Sequence, residues 1–154
     1  MVAEEIHRRI NPEVDVQTFA LDFCTLTSDE IDELVGDADL IVDATDFFPV
    51  HARLNQVALR LGKPALWVGM YRGARAGEII HYVPGLTPAC YRCICGSRYE
   101  AFHDGKGQIT SHGGTIFDLH LVDAIAGQIV LGILTRGAAN RMGRLIDQLG
   151  ERNL

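Results

Sequence analysis

A chain of 154 residues with 47% hydrophobic content is sized for one core. A net charge of −6 and the lack of any lysine/arginine run exclude the electrostatic footprint of a nucleic-acid binder. The opening MVAEEIHRRINPEVDV has no apolar segment of signal-peptide type, so the chain is read as cytoplasmic.

The first segment reads as a helix end, Glu4 to Arg9, broken at Asn11-Pro12, because the residue before proline avoids helical angles. A domain that opens on a helix end is expected to be the later part of a larger fold. Val14, Val16 and Phe19 then alternate as a strand, and Cys24 is expected to be a core thiol in an apolar strand. In TSDEIDELVG, Thr27 and Glu30 have capping-box spacing, Asp29 suits the positive helix end and Gly36 closes the helix. Ile31, Leu34 and Val35 form its inward stripe.

Asp39 to Thr45 predicts a parallel strand, since Leu40, Ile41 and Val42 form the unbroken apolar run of a strand buried on both faces. Pro49 falls in the first turn of the next helix, where its missing N–H costs least. Val50, Leu54, Val57 and Leu61 face inward from that helix, and Gly62 ends it. Ala65 to Val68 is a second buried strand, and Gly77 to Val83 is expected to pair antiparallel at the sheet edge. The expected fold class is α/β: a partial Rossmann-like mixed sheet with helices packed on it, parallel core strands and antiparallel edge strands.

From Pro84 to Gly114 the periodicity dissolves, which predicts a long cysteine-containing loop with a functional role. Thr115 to Leu134 is an apolar helix. A span of about 20 residues is enough to cross a bilayer, but Asp118, His120, Asp123 and Gln128 favour a buried helix of a soluble protein, with no membrane partner. The tail RMGRLIDQLGERNL fits either a helix, through Leu145, Ile146 and Leu149, or an edge strand.

Asp46 is the leading candidate for function. Open α/β sheets bind ligands beyond the carboxyl ends of their strands, and a carboxylate there suits a magnesium-bound phosphate. The competing reading is a cap for the following helix; Asp43 is read as structural or as a support for the residues of the site. His51 and Asn55, four residues apart, share a helix face that either reaches a nucleotide or is wet surface, and Arg53 lies between them. Arg72 and Arg75 flank Gly73, as an anion contact or as solvated turn charges. Cys90 and Cys93 have zinc-ligand spacing, but a structural site needs four ligands. Cys95, His103 and His112 are candidates to complete it, and free or redox-active thiols are the alternative. Neither GxGxxG nor GxxxxGK[ST] occurs.

The blocks Ile10–Val16, Ala38–Asp46, Arg53–Leu66 and Gly77–Cys93, with the late apolar helix, together resemble the ThiF/MoeB adenylyltransferases, prokaryotic relatives of ubiquitin-activating enzymes. The resemblance covers roughly residues 5–150 and implies the C-terminal portion of a single adenylyltransferase domain, residues 1–154, with the family's glycine-rich ATP loop in a preceding half. It implies ATP and Mg²⁺ as cofactors, zinc as a further one, and adenylation of the C-terminal glycine of a ubiquitin-like sulfur-carrier protein. By resemblance Asp46 is the catalytic aspartate that works with ATP–magnesium, His51 and Asn55 are nucleotide contacts, and Cys90 and Cys93 are the first of two zinc-binding pairs. A homodimer is also implied. The chain departs from the family pattern where TDN or TDS reads Thr45-Asp46-Phe47, where an arginine is replaced by His51, and in the missing second CxxC. Lys106–Gly114, the segment in which some relatives carry a catalytic cysteine, contains none. The alternative function is a non-catalytic protein-binding or dimerisation module of the same fold. A nicotinamide dehydrogenase shares only the α/β pattern and lacks its fingerprint.

Overall fold

The computed structural model describes residues 2–74, 76–106 and 113–152. Three strands, β1 (Ile41–Asp43), β2 (Ala65–Met70) and β3 (Gly77–Tyr82), form a sheet in the order β1-β2-β3. β1 and β2 are parallel, with Ile41 opposite Ala65, and β3 returns antiparallel to β2, with Gly69 opposite Glu78. The mixed sheet expected from the sequence is therefore present.

The seven α-helices described are α1 (Val2–Ile10), α2 (Ser28–Val35), α3 (Phe48–Leu61), α4 (Tyr91–Ile94), α5 (Gly96–His103), α6 (Ile116–Leu134) and α7 (Arg141–Arg152). Side chains alternate across a strand, and β2 uses that alternation to build two cores. Ala65 and Trp67 join Ile31, Leu54, Val57, Ala58 and Tyr91 on the side of α2–α5. Leu66 and Val68 join Ala126, Ile129, Ile133 and Ile146 on the side of α6 and α7. The crossover helix α3 leaves β1 and ends at Gly62, whose φ of 61° is left-handed backbone that a glycine adopts without penalty. The capping box of α2 forms as its sequence requires: the Glu30 amide donates to Thr27 Oγ1 and the Thr27 amide donates to Glu30 Oε2.

Several expectations change. Residues 14–20 form no strand; Val14 and Phe19 stay exposed, because an alternating segment needs a sheet partner to become a strand. Cys24 accordingly sits half-buried in a turn, its amide donating to Asp22 Oδ1. Segment 84–114 is not a plain loop, since α4 and α5 lie within it. The ambiguous tail is a helix, with Ile146 fully buried. The apolar helix α6 starts at a Thr115–Asp118 capping box, but it is not buried all round. Phe117 is 79% exposed and Leu121 65% exposed, and only the side carrying Ala126, Ile129, Gly132 and Ile133 packs.

Gly132 sets how closely α6 approaches α7. A Cβ there would meet Ile146 Cγ1 at 2.5 Å and the Met142 carbonyl oxygen at 2.8 Å. Gly132→Ala is therefore expected to lower stability by about 1–3 kcal/mol through overpacking, despite alanine's better helix propensity. Chemical denaturation checks this; an unchanged or raised midpoint would contradict the close packing.

Candidate active site

The chain turns sharply where β1 ends. Asp43, the last residue of the strand, is 2% exposed. Its carboxylate accepts from the Thr45 amide at 3.0 Å and the Thr45 hydroxyl at 2.8 Å, and Oδ2 lies 2.8 Å from His51 Nδ1. A buried carboxylate needs such partners, and here they tie the strand tip to the first turn of α3. Asp43 is structural, as expected. The N-cap position of α3 falls on Phe47, which makes no side-chain cap bond; Asp46 lies one residue earlier.

Asp46 is exposed and lines a cleft of about 300 Å³ together with Thr45, His51, Glu78, Tyr91 and Arg98. Gly69 and Met70, at the end of β2, and Phe48 and Phe102 complete its walls. The cleft thus lies beyond the carboxyl ends of the parallel strands, where this class of sheet binds ligands.

Its far wall is a network that the sequence reading did not single out. Arg98 forms a two-pronged pair with Glu78, Nη2 meeting Oε2 at 2.7 Å, and also donates to Tyr91 Oη at 3.2 Å and Tyr71 Oη at 2.9 Å. Tyr71 in turn donates to Glu78 Oε2 at 2.8 Å. Burial works to raise the Glu78 carboxyl, but the Arg98 and Tyr71 hydrogen bonds and the Arg98 and His51 charges outweigh it, holding the pKa below the usual carboxylate range. Tyr91 is pushed the other way, above the ordinary phenol, chiefly by burial. It stacks on Trp67 at 5.0 Å between ring centroids and is 1% exposed. A signal for this wall exists in the sequence: Tyr91, Cys95, Tyr99 and Phe102 recur at spacings of four, four and three, a helical stripe that runs across the break between α4 and α5 at Cys95.

Asn55 is neither wet surface nor part of the cleft lining. It is 3% exposed and one turn beyond His51. Its side chain hydrogen-bonds Cys90, while its Oδ1 has no partner. Burial works to raise the Cys90 thiol, but hydrogen bonds from the Cys93 backbone, the Cys93 thiol, the Arg92 backbone and Asn55 bring it below the ordinary thiol value. Arg53 points elsewhere, donating to the Cys24 and Leu26 carbonyls and fastening the loop before α2.

Cys90 Sγ and Cys93 Sγ are 3.7 Å apart. Among the described residues no third His, Cys, Asp or Glu joins them as a ligand group, and Cys95 is buried in the core instead. The donor set shown therefore supplies two of the four ligands of a structural zinc site and does not fit that metal. His112, Arg75 and most of Lys106–Gly114 lie outside the described residues.

The sequence profile of the ThiF family matches residues 1–144. This chain belongs to the ThiF family. Its relatives in that family include the sulfur carrier protein adenylyltransferase of Thermus thermophilus, 32% identical over 96 residues, which are 61% of this chain and 34% of that protein. The sulfur carrier protein ThiS adenylyltransferase of Bacillus subtilis is 39% identical over 95 residues, 60% of this chain and 26% of that protein. The heterocyst protein HesA of Trichormus variabilis is 30% identical over 80% of this chain and 44% of its own length. The chain thus spans less than half the length of these relatives. The ThiF-family fold is seen in the crystal structure of E. coli MccB with AMPCPP and MccA, which superposes with a TM-score of 0.61 at 19% identity, covering 86% of this chain and 39% of MccB.

Proposed function

We infer that this ThiF-family chain is part of an ATP- and magnesium-dependent enzyme that adenylates the C-terminal glycine of a ubiquitin-like, sulfur-carrier type protein. The observation that carries the reading is the exposed carboxylate of Asp46 in a cleft at the strand ends, in a chain whose relatives are named adenylyltransferases. The donor set suits magnesium: Asp46 and the Thr45 hydroxyl are hard oxygens at an open cleft, and this ion is usually held by one or two carboxylates plus substrate phosphates. Magnesium would neutralise phosphate charge there. The glycine carboxylate attacks the α-phosphorus, forming a new P–O bond while the bond to the β-phosphate breaks and pyrophosphate leaves. Asp46 orients the charged end of the nucleotide, and the apolar wall of Phe48, Met70 and Phe102 accommodates the extended glycine-ended tail. Asp43 and the Arg98–Glu78 pair hold the walls in place.

The exposed apolar side of α6 favours a dimer, and it also supports the second reading, a non-catalytic binding module of the same fold. Exchange of labelled pyrophosphate into ATP separates the two. These 154 residues alone are expected to show none, because the family's glycine-rich phosphate loop is not among them, and a protein extended to include that loop is expected to exchange. Robust exchange by the 154 residues would overturn the division of labour. Absence of exchange in the extended protein would leave the binding module as the function.

A further inference from the structure

The Cys90–Cys93 pair has no part in the adenylation chemistry, and its surroundings differ from those of a metal centre. Both residues belong to the single turn of α4. Cys90 is its N-cap, and the Cys93 and Ile94 amides donate to the Cys90 carbonyl at 3.0 Å and 3.3 Å. That turn brings the two sulfurs to 3.7 Å from each other. Their exposure is unequal. Cys93 is exposed, whereas Cys90 is half-buried and hydrogen-bonded by the side chain of Asn55, itself 3% exposed. The nearest further cysteine in sequence, Cys95, is 5% exposed and belongs to the apolar core with Tyr91 and Trp67, so it is turned away from the pair. Among the described residues no third His, Cys, Asp or Glu forms a ligand group with them. Between the two cysteines lies Tyr91, whose ring stacks on Trp67 at 5.0 Å between centroids and whose hydroxyl accepts from Arg98 at 3.2 Å. The pair is therefore joined, through one residue, to the floor and far wall of the cleft.

We propose that Cys90 and Cys93 are a redox-active dithiol that closes to a disulfide by exchange with a small disulfide such as oxidised glutathione, and that closure is felt at the cleft through Tyr91. The proposal is independent of the adenylation reading. Exposed Cys93 is the entry thiol, since access governs such exchange. Its thiolate attacks one sulfur of the small disulfide; a mixed disulfide forms on Cys93 as the small S–S bond breaks, and one thiolate leaves. Cys90 then attacks Cys93 Sγ, the Cys90–Cys93 bond forms, the mixed disulfide breaks and the second thiolate leaves. The two protons given up by the cysteines pass through solvent to the released thiolates. The protein is oxidised by two electrons, and the small disulfide is reduced to two thiols. A disulfide bond is about 2.05 Å long, so closure draws the sulfurs well inside their 3.7 Å separation. In a turn this short the residues between them carry the movement, Tyr91 first.

The test uses the full-length protein, reduced, equilibrated with oxidised glutathione, alkylated and mapped by mass spectrometry. Trypsin cuts after Arg92, so the two cysteines fall on separate peptides that only their bond holds together. Wild type is expected to lose two alkylatable thiols and yield that linked pair, and dithiothreitol to restore both thiols. Cys90→Ser is expected to stop at a mixed disulfide on Cys93. Cys93→Ser is expected to form no bridge and to stay unmodified over the same time, because the remaining thiol is screened. Trp67 is the one tryptophan of these 154 residues and stacks on Tyr91, so its emission reports on the cleft floor. Oxidation is expected to shift that emission in wild type and to leave Cys93→Ser unchanged. Two unreacted thiols, mixed disulfides without a bridge, or a zinc ion released only when these cysteines are modified would each overturn the dithiol. A bridge that leaves the emission unmoved would overturn its link to the cleft.

Discussion

Asp46→Ala is expected to reduce adenylation by the phosphate-loop-containing protein about 10²–10³-fold, the range seen when one preorganised electrostatic contact to a transition state is removed. The side chain is exposed at the cleft and lies outside both apolar cores, so stability should change by no more than about 0.5 kcal/mol. Asp46→Asn keeps the shape while removing the charge, and is expected to lose nearly as much activity. Pyrophosphate exchange measured at saturating magnesium, alongside thermal denaturation, checks both halves. A variant that folds and exchanges normally would assign the cleft to something other than a metal-bound phosphate. The contrast with Asp43 sharpens the result, because Asp43→Ala strips partners from Thr45 and His51 and leaves a void at the strand tip. It is expected to cost stability as well as activity, so the two aspartates, three residues apart, separate chemistry from architecture.

Tyr91→Ala is expected to have the largest effect on folding. The ring is 1% exposed, stacked on Trp67, with His51 and Tyr99 beside it. Removing a buried aromatic typically costs about 3–5 kcal/mol, which for a domain of this size lowers the melting temperature by roughly 10–15 °C. Tyr91→Phe keeps the stack and loses only the hydroxyl that accepts from Arg98, so its expected cost is about 1 kcal/mol. If the alanine variant melted within a degree or two of wild type, α4 would not be seated on β2 as described. The position matters for the cleft too: Tyr91 forms its floor and positions Arg98 against Glu78, so the alanine variant should also lose the wall opposite Asp46.

Local patterns were enough to place α2, α3, β1, β2 and β3, because each carries its own instructions. Thr27 and Glu30 satisfy a helix start within four residues, Pro49 and Gly62 bracket α3, and the apolar runs at Leu40–Val42 and Ala65–Val68 each supply strand residues. β1 is not buried on both faces as expected, however: Val42 is 49% exposed, and only Ile41 and Asp43 of that strand are buried. The position of Asp46 at a strand tip followed directly from that order. Long-range packing decided the rest. Residues 14–20 have an alternating pattern but no strand beside them, so the pattern went unused. The helices of segment 84–114 are seated by Trp67, Phe48 and Glu78, which lie far away in sequence, so the stripe from Tyr91 to Phe102 does not by itself say which wall they build. Asn55 shares a helix with His51 but faces Cys90, since one turn along α3 carries a side chain from the cleft into the core. The Asp43–His51 pairing exists only because the turn after β1 folds α3 back over its own strand. Sequence spacing names the residues of a site; the approach of separate elements determines which of them meet, what charge they hold and where they point.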